Sequence, residues 1–85
     1  MEFIIDCREI DSRGELHRVL ATTLDFPEWY GHNLDALYDL LTARRVDTHL
    51  VFENWNPSSP AVKGLKQLLA DVEENNPHLS VTFTG

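Results

Sequence analysis

Two aspartates four residues apart, Asp35 and Asp39, are the residues of this chain whose types and spacing could do chemistry. With His32 just upstream they could share one metal ion, because carboxylate oxygens and imidazole nitrogens are common metal ligands. The match to a metal site is loose, since no supporting second shell can be identified. The sequence also has no nucleophile in a strand-to-helix elbow. We therefore expect no enzyme, no cofactor and no metal, and a metal-dependent enzyme is the weakest alternative.

The surroundings of the two aspartates favour a protein-docking surface. From Asp25 to Ala43 the chain has four acids and no lysine or arginine, while Trp29, Tyr30 and Tyr38 lie close by. Aromatic side chains and carboxylates together are typical of docking surfaces. A carboxylate on a rigid helix is preorganised to enter a cleft lined by Arg, Lys and His. If that cleft normally holds a phosphate, the carboxylate imitates the phosphate and inhibits.

A short loop followed by a helix is predicted to hold these side chains. Pro27 ends the preceding helix, Gly31 allows the chain to turn, and Asn33 is a favoured N-cap for a helix that begins at Leu34. At about 100° per residue the helix has an apolar arc and a polar arc. The first contains Leu34, Leu37, Leu40 and Leu41, and the second contains Asp35, Tyr38, Asp39 and Thr42.

The composition indicates one small domain, residues 1–85. Apolar residues make up 42% of the chain and charged residues 25%, which is the mix of an ordinary soluble protein. No apolar run approaches the ~20 residues that span a bilayer, so we expect a cytoplasmic protein without membrane contact. Fourteen acids against seven bases give a formal net charge of −7. This charge disfavours direct binding to nucleic acid and favours a basic protein partner.

The remaining pattern predicts strand, helix, helix, strand, helix, strand, the order of an α/β fold with a parallel sheet and right-handed crossovers. The predicted strands lie at 3–7, 49–53 and 79–83, and the first of them is an apolar strand buried on both faces. The first predicted helix starts with the Ser12–Glu15 capping box, and the second starts at Leu34. The third is capped by Ser59 and ended by Asn75-Asn76-Pro77.

Two residues of the first half, Cys7 and His17, are predicted to have no functional role. Cys7 has no cysteine partner and is interpreted as a small core residue of the first strand. His17 falls on the polar side of the first helix, so we expect an exposed histidine.

The central stretch reads Pro27-Glu28-Trp29-Tyr30-Gly31, then Asn33-Leu34-Asp35-Ala36-Leu37, then Asp39 and Leu41. This motif closely resembles that of the barstar family, the intracellular inhibitors of barnase-type secreted ribonucleases. The resemblance extends over nearly the whole chain, because the capped first helix and the Leu-Val-Phe-Glu strand fall in the same order. It implies a small α/β fold with three parallel strands and inhibition of guanyl-specific microbial ribonucleases in a 1:1 complex.

The resemblance also implies residue roles. Asp39 would enter the nuclease active site in place of the scissile phosphate and pair with its catalytic arginines and histidine, and Asp35 would make flanking contacts. Trp29 would stack on the rim of that site, and Asp71 would meet a partner cation where the family has a glutamate. The implied partner-binding set is Trp29, Tyr30, Gly31, Asn33, Leu34, Asp35, Tyr38, Asp39, Thr42 and Asp71.

The chain departs from barstar at several places. His32 stands where barstar has an acid, and Tyr38 and Arg44 replace tryptophans. The segment between Glu53 and Leu65 is shorter, so the third helix is expected to be reduced to a turn or merged into the last one. Arg44 and Arg45 place positive charge beside the docking surface, and this charge repels partners that are basic at the same place. The expected partner is therefore a relative of barnase with a different rim around its active site.

Two interpretations of the docking surface remain open at this point. The first is a ribonuclease inhibitor of the kind just described. The alternative is an interaction module of the same fold with a basic partner that is not a nuclease. A pull-down with an Asp39→Ala control separates the two, because it identifies the protein that binds the acidic face.

Overall fold

The computed structural model describes all 85 residues, and they form three strands and three helices with connecting segments. In chain order they are β1 (Glu2–Asp6), α1 (Arg13–Leu24), α2 (Leu34–Ala43), β2 (Thr48–Glu53), α3 (Leu65–Asn75) and β3 (Leu79–Phe83). Two single turns of 3-10 helix, Cys7–Glu9 and Pro60–Val62, lie in the connections. The predicted α/β class and order of elements are confirmed. The longest helix has 12 residues, and no helix combines the length and the apolar character needed to cross a bilayer.

The three strands form one parallel sheet in the order β1-β2-β3. Ile4 lies opposite Val51 in the first pair, and Val51 lies opposite Thr82 in the second. Both crossovers therefore advance in the same direction along the sheet. Since such crossovers are nearly always right-handed, both place their helices on the same face.

The other face of the sheet has no helix on it, so the prediction that the first strand is buried on both faces is wrong. Ile5 is buried, whereas its neighbour Ile4 is 57% exposed. On the open face the ring of His49 lies 3.1 Å from a carboxylate oxygen of Glu2 and 2.8 Å from the hydroxyl of Thr82. A continuous apolar run usually indicates two-sided burial, but winding in a single direction leaves one face without a cover.

The apolar core fills the space between the sheet and the helices. It contains 16 buried residues, among them Leu37, Leu41 and Phe52, and the leucine arc of α2 thus faces the core as predicted. Cys7 lies just after β1, in the 3-10 turn, and it packs partly buried against the core. Burial raises the pKa of its thiol, helped by the charge of Asp6.

The predicted helix starts are confirmed by their caps. Ser12 Oγ accepts a hydrogen bond from the Glu15 amide at 3.2 Å, and Asn33 Oδ1 accepts one from the Ala36 amide at 2.8 Å. Each bond satisfies an amide that has no partner within its helix. Helix α1 ends at Leu24, and the next residue, Asp25, has a φ of 54° in the left-handed region.

The segment between β2 and α3 divides the helix that was predicted to start at Ser59. Ser59 Oγ accepts from the Ala61 amide at 3.3 Å, and Pro60 is the first residue of a turn that ends at Val62. Gly64 then takes a φ of 80°, a left-handed conformation that favours glycine, before α3 begins. The segment between β2 and α3 thus contains one short 3-10 turn and no further α-helix.

Candidate protein-interaction site

The outer face of α2 and the start of α3 enclose an acidic groove of about 510 Å³. Asp35 and Asp39 of α2 lie on one side of it and Asp71 of α3 on the other. No lysine, arginine or histidine lines the groove, which is completed by Leu34, Tyr38, Gly64, Gln67 and Leu68. The structure thus brings together two aspartates that are close in sequence and a third that is distant.

The carboxylates of Asp35 and Asp39 are not neutralised by this chain. The four close contacts between basic and acidic side chains join Arg8 to Asp6, Arg18 to Glu15, His49 to Glu2 and His78 to Asp47. No cationic nitrogen lies within 4.0 Å of either groove aspartate. Both residues are exposed, so their charges are available to an external cation.

The α3 side of the groove is held by hydrogen bonds. Gln67 Nε2 donates to Asp71 Oδ1 at 3.1 Å, which fixes that carboxylate on its own helix. Asn75 Nδ2 donates to the Asp71 carbonyl at 2.8 Å and to the Tyr38 hydroxyl at 3.3 Å. The bond to Tyr38 links α3 to α2, so the two walls of the groove are tied together.

The loop before α2 turns in a way that the sequence did not indicate. Gly31 has no positive φ, and the left-handed residue is His32, with a φ of 50°. The space at position 31 is tight, because an added Cβ would lie 2.9 Å from Nδ2 of Asn33. That same nitrogen donates to the Gly31 carbonyl at 3.1 Å, so a larger residue would disturb the N-cap of α2.

Trp29 and Tyr30 are neighbours in sequence but take opposite positions. The Trp29 side chain is 75% exposed, whereas Tyr30 is only 4% exposed. The ring of Tyr30 packs edge-on against Phe26, with 4.9 Å between ring centres. The predicted binding set includes Tyr30, whose side chain instead belongs to the core and leaves little surface for a partner.

Tyr30 is buried because it pairs with His17, and the prediction that His17 is exposed is wrong. His17 is 2% exposed, and its Nδ1 lies 2.5 Å from the Tyr30 hydroxyl. The loop folds back over α1 and covers an arc of the helix that its own periodicity marks as polar. No local signal indicated this pair, since its members are 13 residues apart and belong to different elements.

The environment of the pair changes both acid–base equilibria. Burial lowers the pKa of His17, and the nearby His32 and Arg13 lower it further. Burial raises the pKa of Tyr30 to about 12. The neutral imidazole and the neutral phenol are thus the forms that suit the fold, and together they anchor the loop that leads into α2.

We expect the stability of the protein to fall on acidification because of His17. Its pKa lies below 6.5 in the fold and near 6.5 in the unfolded chain, so the unfolded chain binds the proton first. The free energy of unfolding therefore decreases as the pH drops through about 6.5, until folded His17 also protonates. Denaturant titrations from pH 8 to 5 on the wild type and on His17→Gln measure this, and parallel curves would contradict it.

Removing the hydroxyl of Tyr30 is expected to destabilise the fold by about 1–3 kcal/mol. Tyr30→Phe keeps the ring but leaves a buried imidazole nitrogen without its partner, and an unsatisfied buried polar group costs that much. Thermal or denaturant unfolding measures the loss. Tyr38→Phe is the matched control, because the Tyr38 hydroxyl is bonded only to the exposed Asn75, and an equal loss in both variants would refute the assignment.

The two arginines after α2 do not point into the groove. Arg44 Nε donates to Thr48 Oγ1 at 2.7 Å, and its guanidinium lies 6.0 Å from the ring centre of Phe3. Arg45 Nη1 donates to the Thr42 carbonyl at 3.4 Å. The Thr42 hydroxyl itself donates back to the Tyr38 carbonyl at 2.7 Å. The positive charge thus lies beyond the C-terminal end of α2, apart from the acidic groove.

The residues considered for a metal site do not form a ligand set. No group of three or more His, Cys, Asp or Glu side chains is arranged to hold a metal ion. His32 lines a separate pocket of about 240 Å³ with Arg13 and Asp35, among others.

The fold and the groove define a class of protein. Its members have a three-stranded parallel sheet that helices cover on one face, and these helices present carboxylates without neighbouring cations. A family model described as "Barstar (barnase inhibitor)" matches residues 1–84, and the chain belongs to the barstar family. It is also similar to the Bacillus subtilis (strain 168) protein named "Putative ribonuclease inhibitor YrdF", with 51% identity over 41 residues. That match covers 48% of this chain and 45% of the relative, so it spans about half of each.

Proposed function

We propose that this protein is a cytoplasmic inhibitor of a secreted guanyl-specific ribonuclease, which it binds in a 1:1 complex and does not cleave or modify. The observation that carries the proposal is the acidic groove, in which Asp35 and Asp39 lie without a cation of this chain within 4.0 Å. Membership of the barstar family and similarity to a relative named as a ribonuclease inhibitor support this class of activity.

The chemistry of inhibition follows from the charge of a ribonuclease active site. Such a site presents arginine, lysine and histidine to the phosphate of RNA, and a carboxylate on a rigid helix offers these groups an anion of similar charge. In the proposed complex Asp39 takes the position of the scissile phosphate, and Asp35 pairs with basic groups beside it. Because α2 is already ordered by its Asn33 cap, little conformational entropy is lost on docking.

The remaining contacts of the proposal surround these two carboxylates. Trp29 is exposed and suits stacking on the rim of the nuclease site, and Asp71 faces a partner cation from the α3 wall. The rest of the proposed contact surface comes from the loop and the outer face of α2, namely Gly31, Asn33, Leu34, Tyr38 and Thr42.

An inhibition assay tests the function directly. The purified protein is mixed with a panel of guanyl-specific ribonucleases, and RNA cleavage is followed as a function of inhibitor concentration. We expect stoichiometric inhibition of at least one nuclease, and the double variant Asp35→Asn/Asp39→Asn, which keeps the side-chain size, should lose it. The proposal fails if no nuclease is inhibited at micromolar concentration, and a pull-down that recovers a basic non-nuclease protein would favour the interaction-module alternative.

We expect the association rate with the nuclease to fall steeply as salt is raised. The chain carries a net charge of −7, and oppositely charged partners attract each other over distances that salt shortens to about 8 Å at physiological ionic strength. Stopped-flow association at several NaCl concentrations measures the effect. The dissociation rate should change much less, and an association rate that is independent of salt would show that the acidic surface does not steer the encounter.

A further inference from the structure

A basic cleft of about 460 Å³ adjoins the acidic groove. Lys63 and Lys66 line it, and no aspartate or glutamate does. Gly64 and Gln67 line both cavities, so they form the boundary between an acidic and a basic site. The charge of the surface therefore changes sign across a single boundary.

The two lysines are not neutralised within the chain. Neither has a carboxylate of this chain within 4.0 Å of its ammonium nitrogen, although the chain has 14 acids and only seven lysines and arginines. Lys66 Nζ lies 5.3 Å from the ring centre of Phe83, within the range of a cation–π contact. In such an acidic protein, two neighbouring lysines without carboxylate partners leave a local positive potential that an external anion can meet.

A residue that lines the basic cleft carries a buried nitrogen without a hydrogen-bond acceptor. Trp55 lines the cleft, and its indole Nε1–H is the buried side-chain donor for which the chain provides no partner. Buried donors in native proteins nearly always have one. Trp55 therefore reports on the cleft wall, although its buried nitrogen is not itself exposed to an occupant of the cleft.

We propose that the basic cleft receives an acidic side chain of the partner protein, next to the basic active site that the acidic groove receives. The inference rests on the proposed function and adds a requirement to it: the nuclease carries an Asp or Glu on the rim of its basic active site, placed to meet Lys63 and Lys66. The charge pattern of acid beside base then fixes one orientation of docking. It also rejects nucleases whose rim is basic at that point, because like charges would be brought together.

Charge reversal tests this proposal through the direction in which the affinity for the nuclease changes. The partner is basic, so making the inhibitor more acidic at an unrelated place should strengthen or accelerate binding. The variant Lys63→Glu/Lys66→Glu should do the opposite and weaken binding to the inhibited nuclease tenfold or more. The matched control is Arg8→Glu/Arg18→Glu, which changes the net charge equally at two residues whose ion pairs are exposed and contribute little.

Affinities of the three proteins, measured by calorimetry or inhibition, decide between the outcomes. Weaker binding of the lysine variant with equal or tighter binding of the arginine control supports the proposal, and unchanged or tighter binding of the lysine variant overturns it. Lys63→Gln/Lys66→Gln, with thermal unfolding as a check, separates loss of contact from loss of fold.

A second measurement does not depend on any nuclease. The ¹⁵N-labelled protein is titrated with a hexaglutamate peptide at millimolar concentration, with hexalysine as the control. We expect saturable shifts of the Trp55 indole N–H and of the Lys63 and Lys66 amides, absent in Lys63→Glu/Lys66→Glu, and their absence in the wild type would overturn the proposal. Failure of the wild type to inhibit any ribonuclease would instead refute the proposed function, so the two failures are distinguishable.

Discussion

Replacing Asp39 with alanine is expected to lower the affinity for the nuclease by roughly a hundredfold to a few thousandfold. In the proposed complex this carboxylate is enclosed among the basic groups of the active site. Removing one member of a buried ion pair leaves the other charge without compensation, which costs about 3–5 kcal/mol, and about 1.4 kcal/mol corresponds to a tenfold change in affinity. Calorimetry or an inhibition titration at fixed salt measures the loss.

The control for Asp39→Ala has to change the charge equally without touching the groove. Glu74 serves this purpose, because it is an exposed residue of α3 that does not line the groove. Asp25 is less suitable, since its φ of 54° at the end of α1 would strain an alanine. Glu74→Ala should reduce affinity only slightly, through the net charge, and equal losses in the two variants would show that the α2 face is not the docking surface.

Replacing Asn76 with alanine is expected to destabilise the protein by about 2–4 kcal/mol, since unsatisfied buried polar groups cost about 1–3 kcal/mol each. The Asn76 side chain is 1% exposed. Its Nδ2 donates to the carbonyls of Leu41 at 2.7 Å and Arg44 at 2.9 Å, and its Oδ1 accepts from the His78 amide at 2.9 Å. The substitution therefore leaves three buried or partly buried backbone groups without their partner.

Thermal unfolding measures the effect of Asn76→Ala, and a loss of this size lowers the melting temperature of a small protein by about 10–30 °C. Asn75→Ala is the matched control, because Asn75 is exposed and its loss should cost under about 1 kcal/mol. The result bears on function as well, since Asn76 ties the C-terminal end of α2 to the segment between α3 and β3. Similar melting temperatures for the two variants would contradict this role.

Much of the candidate site could be predicted from the sequence because its determinants are local. The Asn33 cap fixes the start of α2, and the spacing of Leu37 and Leu41 fixes which face is buried. Once that face is assigned, Asp35 and Asp39 have to lie on the outer side of the helix. These inferences depend on residues within one or two turns of each other, where helix geometry alone relates sequence to position.

Two of the predictions that failed concern contacts between distant parts of the chain. The periodicity of α1 places His17 on the polar side of the helix. His17 is buried only because the loop that carries Tyr30 packs over α1. Ile4 belongs to an apolar run, and only the strand order leaves it exposed. In both cases burial is decided by what packs on the residue, and no local pattern contains that information.

The sequence by itself determined the order of the elements, the caps of α1 and α2 and the outward display of two aspartates without neighbouring cations, because hydrogen bonds and side-chain periodicity act over a few residues. Only the tertiary structure decided that Asp71 joins these aspartates across a groove, and that Lys63 and Lys66 form a basic cleft against the same boundary. The physical reason is that α3 packs against α2 through the common core, so residues about 30 positions apart become neighbours once their apolar faces are buried together.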